Sequence, residues 1–360
     1  MAGSQDCCLD SVGEISGELK GAGSLSQVPG TIKKLINDPV DVVDEFLEAF
    51  VSAHGDIVSM KVPRVVGRAH RGRRKVGLTI GGGSGHEPAM VGYVGVGLAD
   101  TAAAGNIFAA PSPDIIADSI RLANQGMGVV LAYGNYMGDI LNCRLAIQSV
   151  AAEDIEVRSV FVSDDVASAP KEDRDKRRGI AGDIIVFKVA GAAAERGLLL
   201  DEVERLAKKA SAQTRSIGVA LSSPELPGAS VPTFESPPGV MEVGLGVHEE
   251  PGISREPLGS ANSVGRLMAE RILADGDYPS GSQVSVLVNG LGATPPLEQY
   301  LIYRAVREFL AERGISVARS YVGEFITSLQ MAGLSVTITL LDEELLGLLN
   351  DPAQSVRFVE

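Results

Sequence analysis

Apolar residues recur at three- and four-residue spacing over Val42, Val43, Phe46, Leu47, Phe50 and Val51, which predicts one buried face of a helix. Asp38-Pro39 stands just ahead of this run. It offers a cap followed by a proline at the first helical position, where a missing N–H is no loss, so ordered structure is expected to begin there. Continuous apolar runs then follow at Val76 to Ile80, Val129 to Ala132 and Val157 to Val162. Each enters turn-forming residues directly: a glycine cluster after Ile80, Gly134-Asn-Tyr-Met-Gly138 after Ala132, and Ser163-Asp164-Asp165 after Val162. These read as buried strands opening into loops. Helical stretches lie between them at about Asp114 to Asn124 and Leu141 to Ala151. Such alternation predicts an α/β fold with a largely parallel sheet.

An alanine-rich helix through Val189 to Ala194 and a second from Asp201 to Lys209 precede an apolar run at Ile217 to Leu221. A domain boundary is expected near residue 210. The second half predicts a strand at Val284 to Val288, a helix from Leu297 to Leu310 stopped at Gly314, and a last strand from Leu334 to Leu341. Pro224 to Gly239 holds five prolines, which rules out a central strand and predicts an irregular connection. Residues 1–30 are rich in Gly and Ser with weak periodicity and are expected to form a loose tail, leaving 31–210 as a first and 211–360 as a second α/β domain.

Composition narrows the function. The 42 glycines exceed the usual share, as expected where strands turn sharply or the backbone approaches a ligand. A formal net charge of -14 argues against nucleic-acid and anionic-membrane partners. The basic runs Arg71-Gly-Arg73-Arg74 and Lys176-Arg177-Arg178 read as solvated loops. Cys7, Cys8 and Cys143 are too few for a disulfide framework or a cysteine-rich metal site, and no apolar run is long enough to span a bilayer. A cytoplasmic setting is expected.

Chemistry concentrates in three loops. Gly81-Gly82-Gly83-Ser84-Gly85-His86-Glu87-Pro88 follows a strand; its amides could curl around an oxygen, and His86 could exchange a proton with whatever is held there. On pattern alone a tight turn with an incidental histidine fits too, since the loop has neither a P-loop ending nor a dinucleotide fingerprint. Gly138-Asp139 ends the second loop, and strand ends of an open parallel sheet converge on one crevice, so Asp139 is expected near His86 unless it serves only as a turn former or helix cap. His248 lies in Gly244-Leu-Gly246-Val-His248-Glu-Glu-Pro251-Gly252 and is one of only four histidines. Neither histidine loop has a third residue at metal-ligand spacing, so no metal is expected.

Several of these segments together resemble the substrate-binding K subunit of dihydroxyacetone kinase. They are Lys34-Leu-Ile-Asn-Asp-Pro39, Gly81 to Pro88, Phe108-Ala-Ala-Pro-Ser-Pro113, Asn135-Tyr-Met-Gly-Asp139, Arg177-Arg-Gly179, Gly191-Ala-Ala-Ala-Glu-Arg-Gly197, Gly246-Val-His-Glu-Glu-Pro-Gly252 and Val288-Asn-Gly-Leu-Gly-Ala-Thr-Pro295. The resemblance implies two α/β domains with a small hydroxyketone held between them, and a homodimer. It also implies a separate helical L-type partner carrying ADP or ATP with Mg²⁺, recharged in some systems by a phosphotransferase-system carrier. No nucleotide-binding motif is recognised in this chain, so no cofactor is expected on it. By the same resemblance His248 would hold the ketone as a covalent hemiaminal, Asp139 would accept the proton of the hydroxyl that becomes phosphorylated, and His86 would orient that hydroxyl. The amides around Gly83 and Gly85 would fix substrate oxygens, and Ser84 would be a further substrate-binding position.

Three positions depart from the family pattern: Gly134 where lysine is common, Ala110 where serine is common, and Glu249 where glycine usually follows the histidine. Losing a cation and a hydroxyl at Gly134 and Ala110 implies a larger, less polar substrate pocket, suited to a ketose such as the four-carbon erythrulose. The same family includes ketone-binding coactivators without kinase activity; the retained Asp139 favours catalysis.

Overall fold

The computed structural model describes residues 34–360 other than Ser230, Pro232, Glu249 and Pro251, so the expected tail over 1–30 and the Glu249 departure lie outside the described residues. In chain order the first half runs α1 (Val42–Ala53), β1 (Val58–Val62), β2 (Val65–Arg68), β3 (Gly77–Ser84), β4 (Gly95–Val96), β5 (Thr101–Ile107), α2 (Pro113–Ala123), β6 (Val129–Gly134), α3 (Met137–Val150) and β7 (Val157–Val162). There follow α4 (Asp183–Glu195), α5 (Leu200–Gln213), β8 (Thr214–Ala220), β9 (Val240–Val243), β10 (Ser254–Pro257) and α6 (Ala261–Asp275). The chain closes with β11 (Gln283–Gly290), α7 (Pro296–Ala311), β12 (Ser316–Glu324), β13 (Gly333–Leu341), α8 (Glu343–Leu349) and β14 (Gln354–Ser355).

Two α/β domains result, each built on a six-stranded sheet. The first is ordered β1-β2-β5-β3-β6-β7; β5, β3, β6 and β7 are parallel, with β2 and β1 added antiparallel at one edge. The second, β10-β9-β8-β13-β11-β12, is antiparallel except for the β11/β12 pair. One apolar cluster joins them, running from Leu78 and Ile80 of the first sheet through Phe187 of α4 to Leu287 of the second and to Leu291 and Ile326, which follow its strands β11 and β12. The C-terminal residues fold back: β14 pairs with β4, and the buried Lys188 of α4 donates to the carbonyls of Leu348 and Asp351 (both 2.8 Å).

The structure departs from the sequence pattern at three places. Asp38-Pro39 does not start α1. The Asp38 carboxylate accepts the Val40 N–H (2.9 Å) and its carbonyl accepts the Asp41 N–H (3.1 Å), a turn that delays the helix to Val42. Helix α4 starts at Asp183, well before Val189, and is buried from Asp183 through Ala194. A helix apolar on every side has no stripe for periodicity to detect. Gly81 to Ser84 is not loop but the last part of β3, with Gly81 paired to Ala103 and Gly82 to Ala104. A Cβ at Gly81 would stand 2.3 Å from the Tyr133 hydroxyl, and one at Gly83 2.7 Å from the Ala109 nitrogen. Glycine lets the strand run on between neighbours that press this close.

Candidate functional site

The carboxyl ends of the parallel strands deliver the first half of the site. β3 leads to His86; β6 leads to Tyr136 and to Asp139 in the first turn of α3; β5 leads to Phe108, whose ring stacks on His86 with centroids 4.9 Å apart. Phe108 sits at φ +54°, a left-handed conformation unusual for a residue with a side chain. His248 arrives from the other sheet, in the loop after β9. Its ring meets Tyr136 edge-on at 4.5 Å, and its Nε2 lies 2.9 Å from Nε2 of His86. His86, Asp139, Tyr136, Gly83, Gly134 and His248 line one cavity.

One short segment of the second domain aligns both histidines. Thr327 donates its N–H to the His86 carbonyl (3.1 Å) and its Oγ1 to the Glu87 carbonyl (2.8 Å), and Leu329 donates its N–H to the Gly85 carbonyl (2.7 Å). Ser328 Oγ donates to the Val247 carbonyl (2.7 Å), beside His248. Asn289 anchors this segment from behind: its Oδ1 accepts the N–H of Phe325 (2.9 Å) and Ile326 (2.8 Å), and its Nδ2 donates to the Ile326 carbonyl (2.8 Å). The Val288 to Pro295 motif therefore supports the site through Asn289 without lining the cavity.

The hydrogen bonds fix how the imidazoles carry their protons. Nδ1 of His86 lies 2.7 Å from the Thr327 carbonyl oxygen, which can only accept, so Nδ1 bears the proton and Nε2 a lone pair. Burial, aided by the neighbouring His248, drives the His86 pKa down to about 3, so the ring stays neutral. Nε2 of His248 then donates to it, and Nδ1 of His248 faces Glu250 Oε1 at 3.6 Å. Burial pushes the Glu250 carboxyl up, but hydrogen bonding to His248 and the charges of His248 and Arg178 outweigh this and hold it at about 2. Asp139 is the opposite case. It is 8% exposed, its Oδ1 has no hydrogen-bond partner among the described residues, and burial raises its carboxyl to about 6 against the pull of His248 and its own backbone N–H. A neutral acceptor imidazole, a hydrogen-bonded second imidazole and a carboxylate that titrates near neutrality form a set suited to moving protons on a small polar molecule.

A Dak1 domain model matches residues 48–357. The chain belongs to the Dak1 domain family. The dihydroxyacetone-binding subunit DhaK of PTS-dependent dihydroxyacetone kinase 1 from Listeria innocua is 42% identical over 314 residues, covering 87% of this chain and 95% of that subunit. L-erythrulose 1-kinase from Mycolicibacterium smegmatis is 43% identical over 325 residues; the match covers 89% of this chain but 57% of the kinase. Among solved structures, the dihydroxyacetone kinase operon co-activator Dha-DhaQ superposes with a TM-score of 0.83 at 31% identity, covering 88% of this chain and 98% of the co-activator.

In this Dak1 domain the residues singled out from sequence divide into two groups. His86, Asp139, His248, Gly83 and Gly134 line the cavity; Ser84, Gly85 and Ala110 do not. Ser84 Oγ donates to the Gly105 carbonyl (2.8 Å), binding β3 to β5, and the Gly85 amide is taken by the Glu87 carboxylate (3.1 Å), so neither group is free for a substrate oxygen. Ala110 stands across from Gly138, where an added Cβ would meet its methyl at 3.5 Å. The run Lys176-Arg177-Arg178 is not a solvated loop. Arg177 is 1% exposed and forks onto Asp275 (2.9 and 2.6 Å), and Arg178 holds Asp165 (2.7 and 3.0 Å). Distant carboxylates that a charge run cannot reveal make this burial tolerable. Tyr136, Asp183, Ile180 and Ile326 also line the cavity, although the sequence pattern assigns them no role there. For Asp183 a signal existed: Gly182-Asp183 repeats Gly138-Asp139, and each places a carboxyl in the first turn of a helix.

Proposed function

We propose that this chain is the ketose-binding subunit of a dihydroxyacetone-type kinase, holding a small hydroxyketone on His248 while an L-type partner supplies the phosphoryl group from ATP, or from ADP recharged by a phosphotransferase-system carrier. The observation that carries the reading is the 2.9 Å contact between two imidazoles brought from different sheets into one cavity with Asp139. Addition to a ketone needs a lone pair on His248 Nε2. In the contact with His86 that nitrogen carries the proton; once a ketose takes the place of His86, the ionised Glu250 facing Nδ1 favours the Nδ1–H tautomer, which frees the Nε2 lone pair. As the N–C bond forms and the carbonyl π bond opens, the ketone oxygen takes up a proton and Nδ1 gives one up, so the adduct is neutral. The ketose displaces the contact between the rings. His86 Nε2, its Nδ1–H tied to Thr327, then accepts a hydrogen bond from a substrate hydroxyl.

In the transfer step a terminal hydroxyl oxygen attacks the donor phosphorus, the bond to the donor breaks, and the hydroxyl proton passes to Asp139. A carboxyl with a pKa of about 6 is mostly ionised at neutral pH yet basic enough to take that proton. The relatives that bind dihydroxyacetone or phosphorylate erythrulose support the substrate class. Similarity to a co-activator supports a second reading, a ketose sensor without turnover. Ketose titration of the chain, followed by phosphate transfer with an L-type subunit and ATP, separates them. We expect His248→Ala to lose ketose retention, and Asp139→Ala to retain binding but lose turnover, because its role belongs to the transition state. Turnover by Asp139→Ala within about twofold of the parent would refute the assigned base. Ketose binding by the parent with no turnover would favour the sensor.

A further inference from the structure

Asp183 is 3% exposed, occupies the first turn of α4 and lines the cavity shared by His86, Asp139 and His248. Its Oδ1 has no hydrogen-bond partner among the described residues. The neighbouring acid behaves differently: Asp164 accepts the backbone N–H of Ile180 and of Gly182 (both 2.9 Å) and so holds the turn that leads into α4. Asp183 has no such structural employment. Buried polar groups in folded proteins are almost always satisfied, so an unpartnered carboxyl on a residue that lines a binding cavity calls for an explanation, and a ligand hydroxyl would supply one.

Two further features aim this carboxyl at a ligand. The first is Gly134, where a Cβ would lie 3.2 Å from Asp183 Oδ2, the second oxygen of this carboxyl, and 3.2 Å from Cε2 of Tyr136, while Oδ1 lies toward Gly179. Glycine keeps open the gap between carboxyl and ring that any side chain would fill. The second is the Tyr136 hydroxyl, also buried with no partner among the described residues. Burial pushes the Asp183 carboxyl well above the usual carboxylate range, and the nearby Asp164 and Asp139 push it further, which favours the protonated form. A protonated carboxyl both donates and accepts, as a hydroxyl does.

We propose that Asp183 is a specificity-determining residue, hydrogen-bonding a hydroxyl on a fourth carbon of the substrate across the space left by Gly134, so that the site prefers four-carbon ketoses to dihydroxyacetone. This rests on the reading that the chain holds a ketose. A three-carbon ketose anchored through its carbonyl on His248 and one terminal hydroxyl at Asp139 keeps a single further hydroxyl, one carbon short of the fourth-carbon position, and a site built around a hydroxyl at that position discriminates against the analogue lacking it.

Calorimetric titration of the full chain with dihydroxyacetone, D-erythrulose and L-erythrulose tests this without any partner. The parent should bind at least one erythrulose more tightly than dihydroxyacetone. Asp183→Leu should reduce the ratio of erythrulose to dihydroxyacetone affinity by about tenfold or more. Gly134→Ala leaves Asp183 in place but narrows its gap, and should reduce the same ratio; it decides the matter should Asp183→Leu fail to fold. An unchanged ratio in the folded variants, within about twofold, overturns the proposal. Binding of dihydroxyacetone but neither erythrulose by the parent overturns it while leaving the ketose reading intact. Binding of none of the three overturns both.

Discussion

Replacing Asp139 by asparagine should make the protein more stable at neutral pH. The carboxyl is buried with one oxygen unpartnered, and burial lifts its pKa from an ordinary 3.8 to about 6. A raised acid pKa means that the folded chain holds the proton more tightly than the unfolded chain. Stability is therefore unaffected below the unfolded pKa, falls as pH rises from about 4 to about 6, and stays reduced above. A shift of about two units corresponds to about 3 kcal/mol of strain carried by the ionised form at neutral pH. Asparagine keeps the shape and cannot ionise. The variant should gain up to about 3 kcal/mol over the parent at about pH 7.5 and less than about 1 kcal/mol at about pH 4, where the parent carboxyl is mostly protonated in the folded state. The chain has no tryptophan, so urea unfolding followed by far-ultraviolet circular dichroism is the suitable readout. Equal midpoints at neutral pH, or the same increment at both values, would refute the argument. A gain would mean that the proposed base is held ionised against the fold, as expected where function outranks stability.

Two other substitutions probe the frame around the cavity. Asp275→Ala removes the carboxylate that receives both Arg177 (2.9 and 2.6 Å) and Arg215 (2.7 Å), leaving a fully buried guanidinium without its anion; a loss of about 3 kcal/mol is expected, visible as a lower melting temperature. Ser328→Ala deletes the bond to the Val247 carbonyl and should loosen the His248 segment, weakening ketose affinity about fivefold, for about 1 kcal/mol, with little change in melting temperature; unaltered affinity would remove this positioning role.

The parallel half of the fold is legible in the sequence because β3, β6 and β7 are continuous apolar runs that end in turn-forming residues. Strand β5 is not. Thr101-Ala-Ala-Ala-Gly-Asn-Ile107 has little β propensity and is a strand because small residues fit between the glycine-rich end of β3 and β2. His86, Asp139 and His248 stand out as polar residues in glycine-rich loops, but nothing local says that His86 and His248, 162 positions apart, share a hydrogen bond. Only resemblance brings them together before the structure does. The roles expected of Ser84 and Gly85 depend on which carbonyl and carboxylate lie within reach, and the approach of β5 and the turn at Glu87 decide that. The charge run at Arg177 misleads for the same reason, since its partner Asp275 belongs to a helix of the other domain.

The segment Thr327 to Leu329 grips the His86 loop almost wholly through main-chain atoms, since its partners there are the carbonyls of Gly85, His86 and Glu87. Its bond to the His248 loop ends on a carbonyl as well, that of Val247. Apart from the His86 ring, whose Nδ1 meets the Thr327 carbonyl, such a joint recognises the path of the backbone rather than the side chains along it. Apart from His86, the amino-acid identities in either histidine loop can drift without breaking these bonds between the domains, whereas a single inserted or deleted residue would shift every carbonyl out of register. Substrate preference is thus free to diversify by point substitution inside a cavity whose assembly tolerates change of residue but not change of length.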